Sequence, residues 1–271
     1  MADLEPPIEL LFGPPGERDI PDRLAASYGS GLGLPEALVY ANFVGSVDGI
    51  VAIGELGPSS SVISGRDPGD RFVMALLRAA ADVVLVGAGT FREHGGPWTA
   101  AASFPDASEA FRELRRGEGR TPVPALAIVT ASGEIEPKGR ASLAGTIVLT
   151  TEKGAQVLAG TGADPIVLGG DEGIDGAHIV EGLRERGYRR ILTEGGPRLM
   201  AQLVEAGAVQ ELFLTVSPVL AGEGERPGER STLIPGIELL PDDRRDAVLR
   251  SARRRGSYLF LRYGLPGGAP G

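Results

Sequence analysis

Asp70-Arg-Phe-Val-Met-Ala-Leu-Leu-Arg78-Ala-Ala-Ala-Asp82-Val-Val-Leu-Val-Gly87-Ala-Gly89-Thr90 is the stretch that decides the fold. Phe72, Val73, Leu76, Leu77 and Ala80 form one apolar stripe at helical spacing, which predicts a helix over 70–81. The next residues, Val83–Val86, are apolar without alternation, as a strand reads when helices cover both its faces. The strand runs out into glycines, at the end where open α/β sheets take their ligands.

The same alternation continues outward. Strands are predicted at Leu38–Val44, Ala125–Val129, Thr146–Leu149, Ile166–Leu168, Arg190–Thr193, Leu212–Val216 and Tyr258–Arg262. Helices are predicted at Pro197–Ala206, with Pro at its start and Gly207 past its end, at His178–Arg186, at Ala107–Arg116 and at Glu152–Leu158. Strands alternating with helices indicate an α/β sheet. After the strand at 211–219 comes a Gly/Pro-rich loop, then a closing strand with little helix before it, so an antiparallel return at one edge is expected. The central sheet is therefore mixed and mostly parallel. Residues 1–36 read as an N-terminal arm on a single domain of residues 37–271, and 93–123 as a surface excursion holding one helix.

Composition removes several chemistries. Among 271 residues with net charge −9 there is no Cys, which excludes disulfides, thiolate zinc sites and a cysteine nucleophile. His94 and His178 are the only histidines, too few for a three-histidine zinc site, and no metal site is expected. Lys138 and Lys153 are the only lysines, and no G-x-x-x-x-G-K-[ST] loop occurs. The acidic balance argues against a nucleic-acid partner. No apolar run approaches the ~20 residues that span a bilayer, and the start lacks a signal-peptide pattern, so no membrane association and a cytoplasmic setting are expected.

Four strings carry candidate chemistry. Thr193-Glu194-Gly195-Gly196-Pro197-Arg198-Leu199 runs from a strand through glycines into a helix. Such a turn lets a ligand approach the backbone, and the helix's first amides suit a pyrophosphate; a tight structural turn reads the same way. Gly87-Ala-Gly89-Thr90 is a second glycine-rich strand end, although Arg92 breaks the G-x-G-x-x-G pattern. Ser46-Val-Asp48-Gly49 ends the first strand, with Asp48 at the mouth of the sheet or simply in a turn. Arg71 and Arg78 share a helix face, where a guanidinium can grip a phosphate or carboxylate or merely form an ion pair.

In this order, Ser46–Gly49, Ser60–Gly65, Leu77–Thr90, Glu194–Pro197 and Ser217–Gly222 resemble the reductase family of riboflavin biosynthesis, over roughly residues 37–263. The resemblance implies a dihydrofolate-reductase-like three-layer α/β/α fold, NADPH as cofactor and a homodimer. It implies reduction of a phosphoribosylaminopyrimidine, whose opened sugar presents an imine carbon for hydride and a nitrogen for a proton. By position it implies that Val44, Gly87, Gly89 and Thr90 line the cofactor groove, and that Gly195, Gly196, Arg198 and Leu199 cradle its phosphates. Ser60, Arg78 and Glu194 match substrate positions. Asp48 is read as the hinge of the first loop. For the 2′-phosphate of NADPH, Thr130, Ser132, Thr151 and Lys153 are equal candidates.

This sequence departs from the family pattern where the substrate is gripped. Ile50 replaces a basic residue after Asp-Gly, Val62 an aromatic one and His94 an acid, and Pro97-Trp98-Thr99-Ala100-Ala101 lacks the expected arginine. A pterin such as dihydrofolate is therefore a rival substrate, with Asp70 as the carboxylate that pairs with its ring, unless Asp70 merely caps its helix. A non-catalytic nucleotide sensor is the rival from another class.

Overall fold

The computed structural model describes residues 4–14, 19–54, 59–135, 143–169, 173–224 and 230–267; Lys138 lies outside them. Its centre is one ten-stranded sheet. The strands are β1 Glu9–Phe12, β2 Leu38–Ser46, β3 Val83–Gly87, β4 Ala125–Val129, β5 Ile147–Thr150, β6 Asp164–Val167, β7 Arg190–Thr193, β8 Glu211–Ser217, β9 Val248–Arg255 and β10 Tyr258–Gly264. The helices are α1 Asp22–Tyr28, α2 Ser59–Ile63, α3 Pro68–Ala80, α4 Ala88–His94, α5 Ala100–Ser103, α6 Ser108–Gly117, α7 Glu152–Val157, α8 Gly176–Glu185 and α9 Pro197–Glu205.

The sheet order is β1-β9-β10-β8-β2-β7-β3-β4-β5-β6. From β8 to β6 every neighbouring pair is parallel, whereas β10, β9 and β1 add on antiparallel. Helices cover both faces, as the unalternated strands require. Val84, Val86, Tyr40 and Leu192 point to the core under α3 and α6, while Leu85, Val39 and Ile191 point to the core under α8 and α9. At about 2 kcal/mol for each fully buried aliphatic side chain, these two cores dominate the stabilisation of the sheet.

Two of the helices, α3 and α8, start where the sequence supplies a side-chain cap. Asp67 accepts from the amides of Gly69 and Asp70 at the head of α3, and Asp175 accepts from Ala177 at the head of α8. Asp67 is thus the cap of α3, and the side chain of Asp70 is left for other contacts.

Two segments differ from the sequence reading. Residues 93–123 hold α5, a 3-10 turn at Pro105–Ala107 and α6, and they bury Trp98, Phe111 and Leu114 rather than standing off the surface. Their glycines and charges mask an apolar stripe that only the α6 register reveals. Within residues 1–36, β1 forms the outer strand of the sheet beside β9, and Leu4, Ile8, Leu24 and Tyr28 enter the core. Among the described residues, no helix is long and apolar enough to cross a membrane.

Candidate functional site

The C-terminal ends of β2, β3 and β7 open into one cleft of about 540 Å³. The apolar stripe predicted over 70–81 packs into the core, and another side of α3 forms a wall, because Asp70, Met74 and Arg78 recur every four residues. Among the expected site residues, Val44, Ser60, Asp70, Arg78, Thr90, Glu194 and Gly196 line this cleft together.

Arg78 and Glu194 face each other from α3 and the end of β7. Arg78 Nε donates to both carboxylate oxygens at 3.0 and 3.1 Å, and Nη2 donates to Oε2 at 2.5 Å. Both side chains are under 10% exposed, at 9% and 6%. Arg78 Nη1 also donates to Ser103 Oγ at 2.7 Å, and its guanidinium lies 4.8 Å from the ring centre of Trp98. Sequence reasoning placed Arg78 and Glu194 separately against a substrate; here they are also each other's counter-ions.

Asp70 sits in the same wall with its carboxyl held by the hydroxyls of Thr215 and Ser64. Burial pushes its pKa up from 3.8 to about 6, against those hydrogen bonds, with the charge of Asp67 adding to the rise. It is therefore a carboxylic acid that carries its proton into the mildly acidic range, beside open space.

His94 is oriented on two sides. The carbonyl of Thr90 can only accept, so His94 Nδ1 donates to it at 3.1 Å, and in the neutral ring Nε2 accepts from Ser60 Oγ at 3.0 Å. Glu93 accepts from the amide and hydroxyl of Ser59 at 2.8 and 3.1 Å. Trp98 is 7% exposed, and its Nε1 has no acceptor among the described residues. Sequence reasoning noted Trp98 only for the arginine missing beside it; a lone Trp in a Pro/Gly-rich segment was the available signal.

The glycine strings divide into two kinds. Gly195 is needed for packing, since a Cβ there would come within 2.6 Å of Leu199 Cδ2 and 3.0 Å of Val86 Cα. Leu199 correspondingly buries its side chain in the core, so only its backbone remains for a ligand. Gly196 is the residue before α9, at φ +59, and brings that helix start against Thr90 of α4. Neither α4 nor α9 has a side-chain cap, so their first amides are left to an anion. Gly87 and Gly89 leave room beside them, with no atom closer than 3.7 Å to a Cβ at either. Arg198 is exposed on the first turn of α9, with no partner for its guanidinium among the described residues. These uncapped helix starts with open glycines between them fit the diphosphate of a dinucleotide cofactor.

Gly87, Gly89, Gly195, Arg198 and Leu199 flank the cleft rather than form its wall, and Thr130 lies apart from it, buried at the end of β4. Of the other polar residues weighed for a 2′-phosphate, Thr151 already donates to the carbonyl of Ala131 and caps α7. Lys153 is exposed and unpaired among the described residues. Asp48 accepts from Ser46 Oγ and from the amides of Ala221 and Gly222, so it ties the loop after β8 to the end of β2. Those bonds, the Ser46 hydroxyl first, lower its pKa to about 2. Among the described residues no cluster of His and acidic groups could hold a metal ion.

The chain is similar to known proteins over most of its length. Residues 37–236 match the family described as RibD C-terminal domain. The chain is 24% identical over 196 residues to the 2,5-diamino-6-ribosylamino-4(3H)-pyrimidinone 5′-phosphate reductase of Archaeoglobus fulgidus, covering 70% of this chain and 84% of that protein. It is 26% identical over 196 residues to the protein of the same name in Aquifex aeolicus, covering 70% and 79%. A pyrimidine reductase-like protein from Corynebacterium diphtheriae superposes with a TM-score of 0.69 at 22% identity, over 86% of this chain and 96% of the other. The riboflavin biosynthesis reductase of Saccharomyces cerevisiae superposes with a TM-score of 0.59 at 16% identity, over 91% and 95%. The chain belongs to the RibD C-terminal domain family, and its mixed, mostly parallel α/β fold with an antiparallel edge is shared with the reductase structures named above.

Proposed function

We propose that the chain is an NADPH-dependent reductase of a ribosylamino-pyrimidine 5′-phosphate, the substrate named for its relatives in A. fulgidus and A. aeolicus. The observation that carries the reading is the convergence of the Arg78–Glu194 pair, the half-buried acid Asp70 and the uncapped start of α9 on one cleft. A nicotinamide cofactor, as the family implies, supplies a hydride when bound.

The chain's own residues do the rest. Gly196, Thr90 and the free amides at the starts of α4 and α9 hold the cofactor's diphosphate, with Val44 beside its ring and Lys153 or Ser132 near its 2′-phosphate. Arg78, Glu194 and Ser60 orient the pyrimidine, and the deep position of the ion pair strengthens its hold by excluding water. Asp70 keeps a proton at a fixed point and gives it to the substrate nitrogen as the neighbouring carbon is reduced. The homodimer and the cytoplasmic setting implied by the family belong to the same reading.

The test is NADPH oxidation, followed by its near-ultraviolet absorbance, with the pyrimidine phosphate and with dihydrofolate in parallel. Turnover with the pyrimidine alone is expected. Turnover with dihydrofolate alone would transfer Asp70 to pairing with a pterin ring. NADPH binding without oxidation of either would leave a reductase of another substrate or a sensor.

A further inference from the structure

We propose that Arg66 and Arg71 form a binding site for a phosphate monoester at the mouth of the cleft, and that its occupant is the 5′-phosphate of the substrate. The identity of the occupant rests on the function proposed above; the anion site rests on the geometry alone.

The charged and titratable groups of the cleft are otherwise committed. Arg78 is neutralised by Glu194, Glu93 is held by Ser59, Asp70 by two hydroxyls, and His94 by Thr90 and Ser60. Arg71 uses only Nε, which donates to the carbonyl of Ser103 at 3.0 Å. That bond fixes one edge of the guanidinium and leaves both Nη groups without a partner among the described residues, the fork that grips a phosphate in a bidentate fashion. Arg66 is exposed and its guanidinium has no partner among the described residues, although its amide donates to Ser64 Oγ at 3.3 Å. Both arginines line the cleft. Trp98 adds an indole donor without an acceptor in the adjoining wall, beside a segment, Pro97–Ala101, that contains no cation of its own.

A phosphate could arrive on the substrate or as the 2′-phosphate of the cofactor. Position favours the substrate. Arg78 holds Glu194, the residue immediately before the glycines that open α9, where the cofactor's diphosphate fits. Arg71 lies seven residues earlier on α3 and shares Ser103 with Arg78, its Nε donating to the Ser103 carbonyl while Arg78 Nη1 donates to Ser103 Oγ, so its guanidinium stands beside the Arg78–Glu194 pair on the side of α3 away from the cofactor's glycines. A substrate with its ring against Arg78 and Glu194 thus extends its phosphate toward Arg66 and Arg71.

The experiment compares the wild-type chain with Arg66→Ala/Arg71→Ala and with Arg71→Lys. Binding of ribose 5-phosphate and of ribose is measured by calorimetry, together with NADPH affinity. KM and kcat are measured for the pyrimidine phosphate and its dephosphorylated form. The double variant is expected to weaken ribose 5-phosphate binding, and to raise KM for the phosphorylated substrate, by about 10- to 100-fold. NADPH affinity and KM for the dephosphorylated form stay unchanged, and Arg71→Lys recovers part of the loss. Equal ribose 5-phosphate binding by wild type and double variant overturns the proposal. So does a loss of preference for NADPH over NADH with ribose 5-phosphate binding intact, which would assign the arginines to the cofactor. Ribose 5-phosphate binding that depends on the arginines, in a wild-type protein that does not turn over the pyrimidine phosphate, would refute the reaction while supporting the anion site.

Discussion

Asp67 and Asp70 stand three residues apart and have opposite environments. Asp67 spends its carboxylate on two amides and on Arg255, whereas Asp70 faces two hydroxyls and no cation, with desolvation raising its pKa. Sequence reasoning could pick out Asp70 as an acid on the helix after the first long strand, but not which of the two caps that helix. Nor could it see that Arg78 and Glu194, 116 positions apart, are joined. The raised pKa has a sign that can be checked. Between pH 3.8 and about 6 the folded chain keeps a proton that the unfolded chain has released. Stability therefore falls as pH rises through that window and is level above it. Asp70→Asn is expected to remove this slope, read from urea midpoints between pH 4 and 7. The same variant should abolish the decline in turnover above about pH 6 that a proton-donating Asp70 imposes. An identical slope in both proteins would mean that another group carries the proton.

At the scale of elements, α3 carries the cleft wall and is anchored at both ends by arginines from distant segments. Arg255 of β9 pairs with its cap, Asp67, at 2.8 Å. At its other end, Arg115 of α6 donates from Nη1 to the carbonyls of Ala79 and Ala81 at 3.0 and 2.7 Å. Arg115 is 2% exposed, and burial lowers its pKa to about 10. Among the described residues no carboxylate bonds to it; its charge is offset by Glu118 nearby and by the negative end of the helix. Arg115→Met keeps the apolar stem and strands those carbonyls, so a loss of about 2–4 kcal/mol is expected. A loss below about 0.5 kcal/mol, the range of ordinary surface substitutions, would show that water replaces the guanidinium freely.

The helix itself was legible from its stripe, and so were the central strands from their unbroken apolar runs. The strand that anchors α3 was not. In β9, Val248-Leu-Arg-Ser-Ala-Arg-Arg-Arg255, an inward position is taken by Arg253, 4% exposed. It stacks 4.0 Å over Tyr28 and donates to Ser30 and Ser251. A buried, fully partnered arginine hides a strand from any reading of hydropathy. Helix α4 was hidden differently, because its glycine-rich start reads as loop and only Gly95, at φ +48, marks its end.

At the scale of the whole molecule, the family match ends at residue 236 while the sheet does not. β10 pairs with β8 on one side and β9 on the other, and β1 pairs with β9. A fragment of residues 37–236 therefore leaves β8 as a bare edge, a template for aggregation. It is expected to give no cooperative thermal transition by circular dichroism and to elute as aggregate on gel filtration. A sharp transition near that of the full chain would show that the antiparallel edge is dispensable.

The pairing of β1 also constrains how the protein is made. Glu9 meets Arg254, 245 residues later in the chain, an interval of about 12–50 s at a ribosome producing roughly 5–20 residues per second. β7 likewise must emerge before β2 and β3 can lie on either side of it. Throughout that interval the first strand, with Leu11 and Phe12 still 49% and 54% exposed even in the finished fold, has no strand to pair with. The outer edge of the sheet therefore cannot form until β9 has been made, so its pairing follows the central strands rather than leading them.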